Sequence, residues 1–245
     1  SLLSDIIPIV YSPFEVLDFY VKNLDLNIEI NKISNTQEAA DNKLNVLSFS
    51  CPELTLSPGK ITKQGGQVAF KSLKKATHDL LHLSTDIIVT APINKDNIQN
   101  NEFNFLGHTE YFTKNCNQNE SLMLMVHHNL KIGLVTNHLP IEKVSENISE
   151  SQILNKLLLM QQSLKKDFAI NNPKIALLGL NPHSGDNGLI GSEENLIIAP
   201  TIFAAKKMNI NVSGPFPADG FFANNNHEKF DGVLAMYHDQ GLIPF

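Results

Sequence analysis

The chain has 245 residues, 42% of them hydrophobic and 18% charged, and its 19 basic residues, all lysine, stand against 25 acidic ones for a net charge of −6. That length accommodates one large domain or two small ones around a substantial core, and the composition excludes a disordered, collagen-like or disulfide-stapled chain. The acidic balance argues against binding nucleic acid, which needs a basic face to neutralise phosphates; what is left is a globular protein, most simply an enzyme.

Taken in chain order, residues 6–11 read as a strand, and 14–23 as a helix opened by Ser12-Pro13, a cap residue followed by proline. Residues 23–43, rich in asparagine and lysine, read as a surface excursion, and 44–49 as a second strand. Over 66–83, Val68, Leu73, Ala76, Leu80 and Leu81 recur at close to helical period. Residues 86–90, Asp-Ile-Ile-Val-Thr, form a β-branched run suited to a buried parallel strand. A helix is expected over 109–116, then neighbouring strands over 122–126 and 132–136 joined by a turn at Asn129. A helix over 150–168, a strand over 174–180, a helix over 192–208 opened by Ser-Glu-Glu, and strands over 211–212 and 233–237 complete the order. Alternating strands and helices imply an α/β sheet covered on both faces. No repeat, linker or domain boundary stands out.

Cys51 and Cys116 match no metal or redox spacing and suit incidental thiols of a reducing compartment. The longest apolar runs, such as residues 6–10, are too short to span a bilayer, and the Ser-Leu-Leu-Ser-Asp start lacks the marks of a signal peptide. A cytoplasmic protein without a membrane partner is therefore expected.

The informative pattern lies just beyond the strands. Residues 132–136 lead to Asn137-His138-Leu139-Pro140, 174–180 to Asn181-Pro182-His183-Ser184-Gly185-Asp186, and 233–237 to His238-Asp239-Gln240-Gly241. In open α/β sheets the carboxyl edge is where ligands bind. Three imidazoles delivered there suit a shared zinc, cobalt, iron or manganese ion with positions left for substrate. Spacings of 45 and 55 residues match no local metal motif, so each histidine alone is as well read as a solvated loop side chain. Gly107-His108-Thr109-Glu110 is a glycine turn entering a helix, suited to an anion or simply to capping. Asp219, in Pro215-Phe216-Pro217-Ala218-Asp219-Gly220, and Lys95, after residues 86–90, are further candidates that turn roles explain equally well. His78 and His82 have i, i+4 spacing but sit among lysines and read as structural; His127, His128 and His227 carry no pattern. Dinucleotide, phosphate-loop and serine-hydrolase fingerprints are absent; Ser57-Pro58-Gly59-Lys60 is too short for a phosphate loop.

Taken together, the blocks Ser57-Pro58-Gly59-Lys60, Thr90-Ala-Pro-Ile-Asn-Lys95, Leu106-Gly-His-Thr-Glu-Tyr111, Thr136-Asn-His-Leu-Pro140, Gly179-Leu-Asn-Pro-His-Ser-Gly185, Gly191-Ser-Glu-Glu194, Gly214-Pro-Phe-Pro-Ala-Asp219 and Leu234-Ala-Met-Tyr-His-Asp-Gln-Gly241 resemble, in order, the 4-hydroxythreonine-4-phosphate dehydrogenase family of vitamin B6 biosynthesis. The resemblance covers residues 57–245 and implies an α/β fold like the isocitrate and isopropylmalate dehydrogenases, with two α/β subdomains around a cleft. It implies a homodimer with active sites at the subunit interface, and a divalent metal (zinc, magnesium, cobalt or manganese) on His138, His183 and His238. His108 and Thr109 map onto substrate contacts, while Asp219 and Asp239 map near the site as residues that orient substrate or move protons. The implied reaction is NAD- or NADP-linked oxidation of 4-phosphooxy-L-threonine at C3, followed by decarboxylation to 3-amino-2-oxopropyl phosphate; no residue maps onto the nucleotide.

Family members begin with a strand and a Gly-Asp-Pro-x-Gly-Ile-Gly-Pro-Glu block, and continue past His-Asp-Gln-Gly through a lysine, an asparagine and an arginine that hold the substrate phosphate. The resemblance therefore makes residues 1–245 a single dehydrogenase chain lacking those two segments, part of a longer protein. The alternatives are a related dehydrogenase acting on another four-carbon hydroxy acid phosphate and, from another class, a three-histidine metal hydrolase using metal-bound water.

Overall fold

The computed structural model describes residues 4–52 and 54–245, which fall into two compact units, Ser1–Asn119 and Glu120–Phe245. No composition shift marks the division.

In the first unit, strands β1 (Ile9–Tyr11), β2 (Ile30–Ile33) and β3 (Leu44–Leu47) form a parallel sheet in the order β1-β3-β2. Central β3 carries the most buried positions, Asn45 and Val46, both fully enclosed. Asn45 satisfies its amide internally, accepting from Asn31 Nδ2 and Ala40 N and donating to the carbonyls of Pro8 and Ala40. That bonding recruits β2 and the short turn Thr36–Glu38 out of the stretch expected to be a surface excursion. A strand of sequence Ile-Asn-Lys-Ile has too little alternation to announce itself; the buried asparagine of its neighbour supplies the missing order.

Helix α1 (Phe14–Asn23) occupies the expected residues, but Ser12 does not cap it. Its hydroxyl bonds to Pro13 O, and the first free amide, Phe14 N, instead donates to Ser48 Oγ at 3.1 Å. Helix α2 (Lys63–Leu81) starts three residues earlier than the periodicity predicts because Thr62 Oγ1 accepts from Gly65 N. It buries Leu73 against Ile98, Phe103 and Tyr111, the last from α3 (His108–Asn115).

One expectation fails outright. Residues 86–90 form no strand, and Ile87 and Val89 are 78% and 93% exposed. A parallel strand exists only through the ladders on its edges, and no described segment pairs with this one. β-Branched composition alone cannot create the neighbours.

The second unit holds β4 (Leu124–His127), β5 (Leu130–Leu134), β6 (Ile175–Leu178), β7 (Val212–Phe216) and β8 (Gly232–Ala235) in the order β4-β5-β8-β6-β7. β4 and β5 are an antiparallel hairpin turning at His128-Asn129, and the remaining pairs are parallel. Every residue of β6 is fully buried, as a strand covered on both faces requires. Ile175 and Leu177 face one cluster, with Ile153, Leu157, Met160 and Leu164 of α4 (Glu150–Lys166) and Ile202 and Ala205 of α5 (Ala199–Lys207). Ala176 and Leu178 face the other, which holds Phe221 of α6 (Ala218–Ala223), with Leu242 of α7 (His238–Leu242) packed against it. The connections from β5 to β6 and from β6 to β7 advance across the sheet with their helices on one face. The return from β7 to β8 carries α6 on the opposite face, as a constant crossover hand demands.

The helix expected over 192–208 opens instead as a π-helical stretch, Glu194–Ile198. Pro200 lies in the first turn of α5 and has no N–H for the i→i−4 bond, so the ladder widens there.

Candidate active site at a sheet edge

β5, β8 and β6 are adjacent and parallel, so their carboxyl ends open on one edge. His138 follows β5, His183 follows β6 and His238 opens α7 after β8, so the three share that edge. His138 and His238 are neighbours, with ring centroids 5.5 Å apart and planes at 44°. His238 Nδ1 pairs with Asp239 Oδ1 at 2.7 Å, which leaves Nε2 free to act as a donor atom toward a ligand. His183 is exposed on its turn. Among the described residues no group of three His, Cys, Asp or Glu side chains is gathered to hold a metal ion. The donor set fits a divalent ion in its chemistry and in its placement on one edge, and within one chain it falls short of a closed set.

The edge is braced beyond the last ladder bonds. Thr136 Oγ1 donates to Met236 O at 2.7 Å, and Thr136 N and Val135 N donate to the carbonyls of Met236 and Ala235. Gln240 accepts from Met236 N and donates to Gly179 O, both at 2.7 Å. Strand ends carrying all three histidines are thereby tied side by side. Asn137 Oδ1, beside His138, is buried without a hydrogen-bond partner.

The turn that carries His183 has an unusual backbone. His183, Ser184, Gly185, Asp186 and Asn187 all have φ between 43° and 77°, consecutive left-handed residues of which only one is glycine. A left-handed conformation costs an L-residue roughly 1–2 kcal/mol, less for Asp, Asn and His, so Ser184 carries the largest share of the strain. Such strain persists only where the surroundings impose it, and it concentrates at functional sites. Two adjacent acids brace the entry to the turn, and Ser184 Oγ donates to Pro215 O at 3.3 Å from within it. Glu194 is 4% exposed; its Oε1 accepts from Leu180 N and Asn181 N at 2.8 and 2.7 Å, and its Oε2 accepts from Asn181 Nδ2 at 2.9 Å. A Cβ at Gly185 would stand 2.6 Å from Glu194 Oε2, so the carboxylate needs a glycine above it. Glu193 accepts from Ser145 Oγ, from Asn181 Nδ2 at 2.8 Å and from Ser192 N at 3.0 Å. The Ser145 hydroxyl, followed by Asn181, holds its carboxyl below the ordinary range. Because Ser145 lies in the connection after His138, Glu193 also links two of the histidine loops.

Glu193 and Glu194 look in sequence like acids placed to complement a helix dipole, and this reading misses their role. The glycines at 179, 185 and 191, spaced around His183, are the signal that a side chain comes close. Gln240 has no sequence signal beyond its place in the His-Asp-Gln-Gly block.

Four candidates remain. Asp219 lies exposed in the first turn of α6, and Lys95 is exposed in a turn capped by Asn94. In the first unit His108 and Thr109 open α3, with no side chain capping it. Thr109 is exposed; His108 is half-buried and stacks on Phe112 at 6.2 Å, and desolvation lowers its pKa from 6.5. His78 and His82 stack at 4.1 Å, with His82 Nδ1 on His78 O, and form part of no metal-binding group.

The family model described as pyridoxal phosphate biosynthetic protein PdxA matches residues 5–245. The 4-hydroxythreonine-4-phosphate dehydrogenase of Bacteroides thetaiotaomicron is 40% identical over 239 residues, covering 97% of this chain and 66% of its own length. That of Prosthecochloris aestuarii is 37% identical over 243 residues, covering 97% of this chain and 72% of its own length. The chain thus spans about two thirds of the curated relatives it matches. The crystal structure of the Klebsiella pneumoniae 4-hydroxythreonine-4-phosphate dehydrogenase superposes with a TM-score of 0.89 at 28% identity, over 99% of this chain and 77% of that one. The α/β architecture is that of the isocitrate/isopropylmalate dehydrogenase-like fold. No helix among the described residues is long and apolar enough to cross a membrane.

Proposed function

The chain belongs to the pyridoxal phosphate biosynthetic protein PdxA family, and from that membership we propose that it is the main part of an oxidoreductase acting on 4-phosphooxy-L-threonine. The reaction is NAD- or NADP-linked oxidation of the C3 hydroxyl to 2-amino-3-oxo-4-phosphooxybutanoate, which then loses carbon dioxide to give 3-amino-2-oxopropyl phosphate. The observation that carries the reading is the delivery of His138, His183 and His238 to one edge by three adjacent parallel strands.

In this reading His138, His183 and His238 hold a divalent ion. When bound, the nicotinamide accepts hydride while the ion acts as a Lewis acid at the substrate oxygen. The chain's own residues divide the remaining work. Asp239 fixes the His238 ring through Nδ1 and leaves Nε2 as the lone-pair donor. His108, whose pKa burial lowers, offers the substrate an imidazole, with Thr109 next to it in the chain. Asp219 is available to move protons from the same sheet edge, beyond β7. The same reading makes the protein a homodimer with its active sites at the subunit interface.

The test is turnover of 4-phosphooxy-L-threonine with each nucleotide and with zinc, magnesium, cobalt and manganese in turn, followed by the absorbance of the reduced nicotinamide. Metal-dependent absorbance growth with this substrate supports the proposal. Metal-dependent hydrolysis with no absorbance change would instead favour the three-histidine hydrolase.

A further inference from the structure

We propose that Glu194 is the positioning residue of this site: its buried carboxylate clamps the entry to the left-handed turn 183–187 and thereby sets where His183 stands. The inference rests on the proposed metal-binding role of His183 for its effect on the ion, and on geometry alone for its effect on the turn.

Three observations converge. First, five consecutive left-handed residues are imposed from outside rather than adopted by local preference, because single residues visit that region but runs of them do not, and Ser184 has no tendency toward it. Second, the restraint is concentrated at the entry. Leu180 N, Asn181 N and Asn181 Nδ2 all donate to Glu194 just before the turn begins. Of the later bonds, Leu189 N to Asp186 O and Ile190 N to Gly185 O close the turn on itself, and one longer bond, Ser184 Oγ to Pro215 O at 3.3 Å, ties it to the end of β7. Third, the carboxylate comes from another element, the π-helical start of the helical region after the loop, and that element is anchored in the core by Ile198. A carboxylate accepting three N–H bonds in a buried setting is a rigid anchor, since leaving those donors unpaired is costly. Asn181 makes the anchor directional: its two amide hydrogens go one to Glu194 and one to Glu193, so its side chain has a single orientation.

Removing such a support from behind a metal ligand typically weakens metal binding about 10- to 100-fold without touching the ligand itself. The experiment uses the full chain with Co²⁺ alone as probe, read by its visible absorbance, together with amide hydrogen exchange over residues 180–191 in metal-free protein. Glu194→Ala is expected to weaken Co²⁺ binding about 10- to 100-fold and to accelerate exchange over 180–191. Glu194→Gln, which keeps one acceptor oxygen for Leu180 and Asn181, should recover part of both effects. If Glu194→Ala does not fold, Glu194→Gln and Asn181→Ala carry the test, each removing part of the clamp. Wild-type Co²⁺ affinity and wild-type exchange in the folded variants would overturn the proposal. His183→Ala separates the two readings: unchanged Co²⁺ binding in that variant sinks the metal assignment. In that event exchange over 180–191 in the Glu194 variants still decides the clamp, faster exchange upholding it and unchanged exchange overturning it.

Discussion

Gln240 Nε2 donates to Gly179 O at 2.7 Å, while Oε1 of the same side chain accepts from Met236 N at the same distance. One amide thus spans the ends of β6 and β8 where their ladder has stopped, between the stretches that lead to His183 and His238. Gln240→Leu keeps the volume and removes both bonds, leaving a buried donor and acceptor unpaired. The expected cost is about 1–3 kcal/mol, read as a lower urea midpoint at constant slope. An unchanged midpoint would show that solvent or relaxation satisfies these groups and that the tie adds nothing.

Alanine at His138, His183 or His238 should each lower divalent-metal affinity and turnover on the order of 100-fold or more. Fold should be retained, because His138 and His183 are exposed and no described hydrogen bond of the core depends on them. Metal content by atomic absorption, beside the far-ultraviolet dichroism of each variant, checks this. Full metal content with full turnover in any one variant removes that residue from the ligand set.

His108 is held below its ordinary pKa of 6.5 by desolvation. The unfolded chain therefore takes up a proton at this position more readily than the folded one. The contribution to stability is complete above pH 6.5 and is lost as pH falls below that value and through the lower folded pKa. An NMR titration of the ring should give a midpoint below 6.5, and Phe112→Ala, which opens the stacked face, should move it upward. A wild-type midpoint at or above 6.5 would contradict the burial argument.

Tyr11 donates to Asp79 Oδ2 at 2.8 Å, and burial, followed by that carboxylate, raises the phenol pKa above 10.0. A raised pKa means that the folded state keeps its proton longer than the unfolded state. The stabilisation is present below pH 10.0 and declines above it. Tyr11→Phe should cost about 1 kcal/mol at neutral pH and flatten the alkaline loss of stability. Parallel wild-type and variant curves into the alkaline range would refute the linkage.

Much of this molecule was legible from local pattern. The helix over 14–23 matches its expected range, and the 150–168 helix and the 174–180 strand are recovered with shorter ends. Their signal is burial on a fixed period, which lies within a short window of chain. Two of the failures share one cause. Residues 86–90 have a strand's composition without a strand's neighbours; β2 has the neighbours without the composition. In both, the deciding hydrogen bonds come from segments distant in sequence.

The same division runs through the candidate site. Residue types and their places after strands were enough to single out His138, His183 and His238, because a strand's carboxyl end can be read from where its apolar run stops. That these three strands lie side by side, that two of the rings are already neighbours, and that the third stands on a left-handed turn pinned by Glu194 depended on pairing across gaps of 45 and 55 residues. Sequence alone determined which donors exist, since side-chain chemistry is local. Only tertiary structure decided how they are held, since strand order and a buried carboxylate's partners are settled by long-range packing.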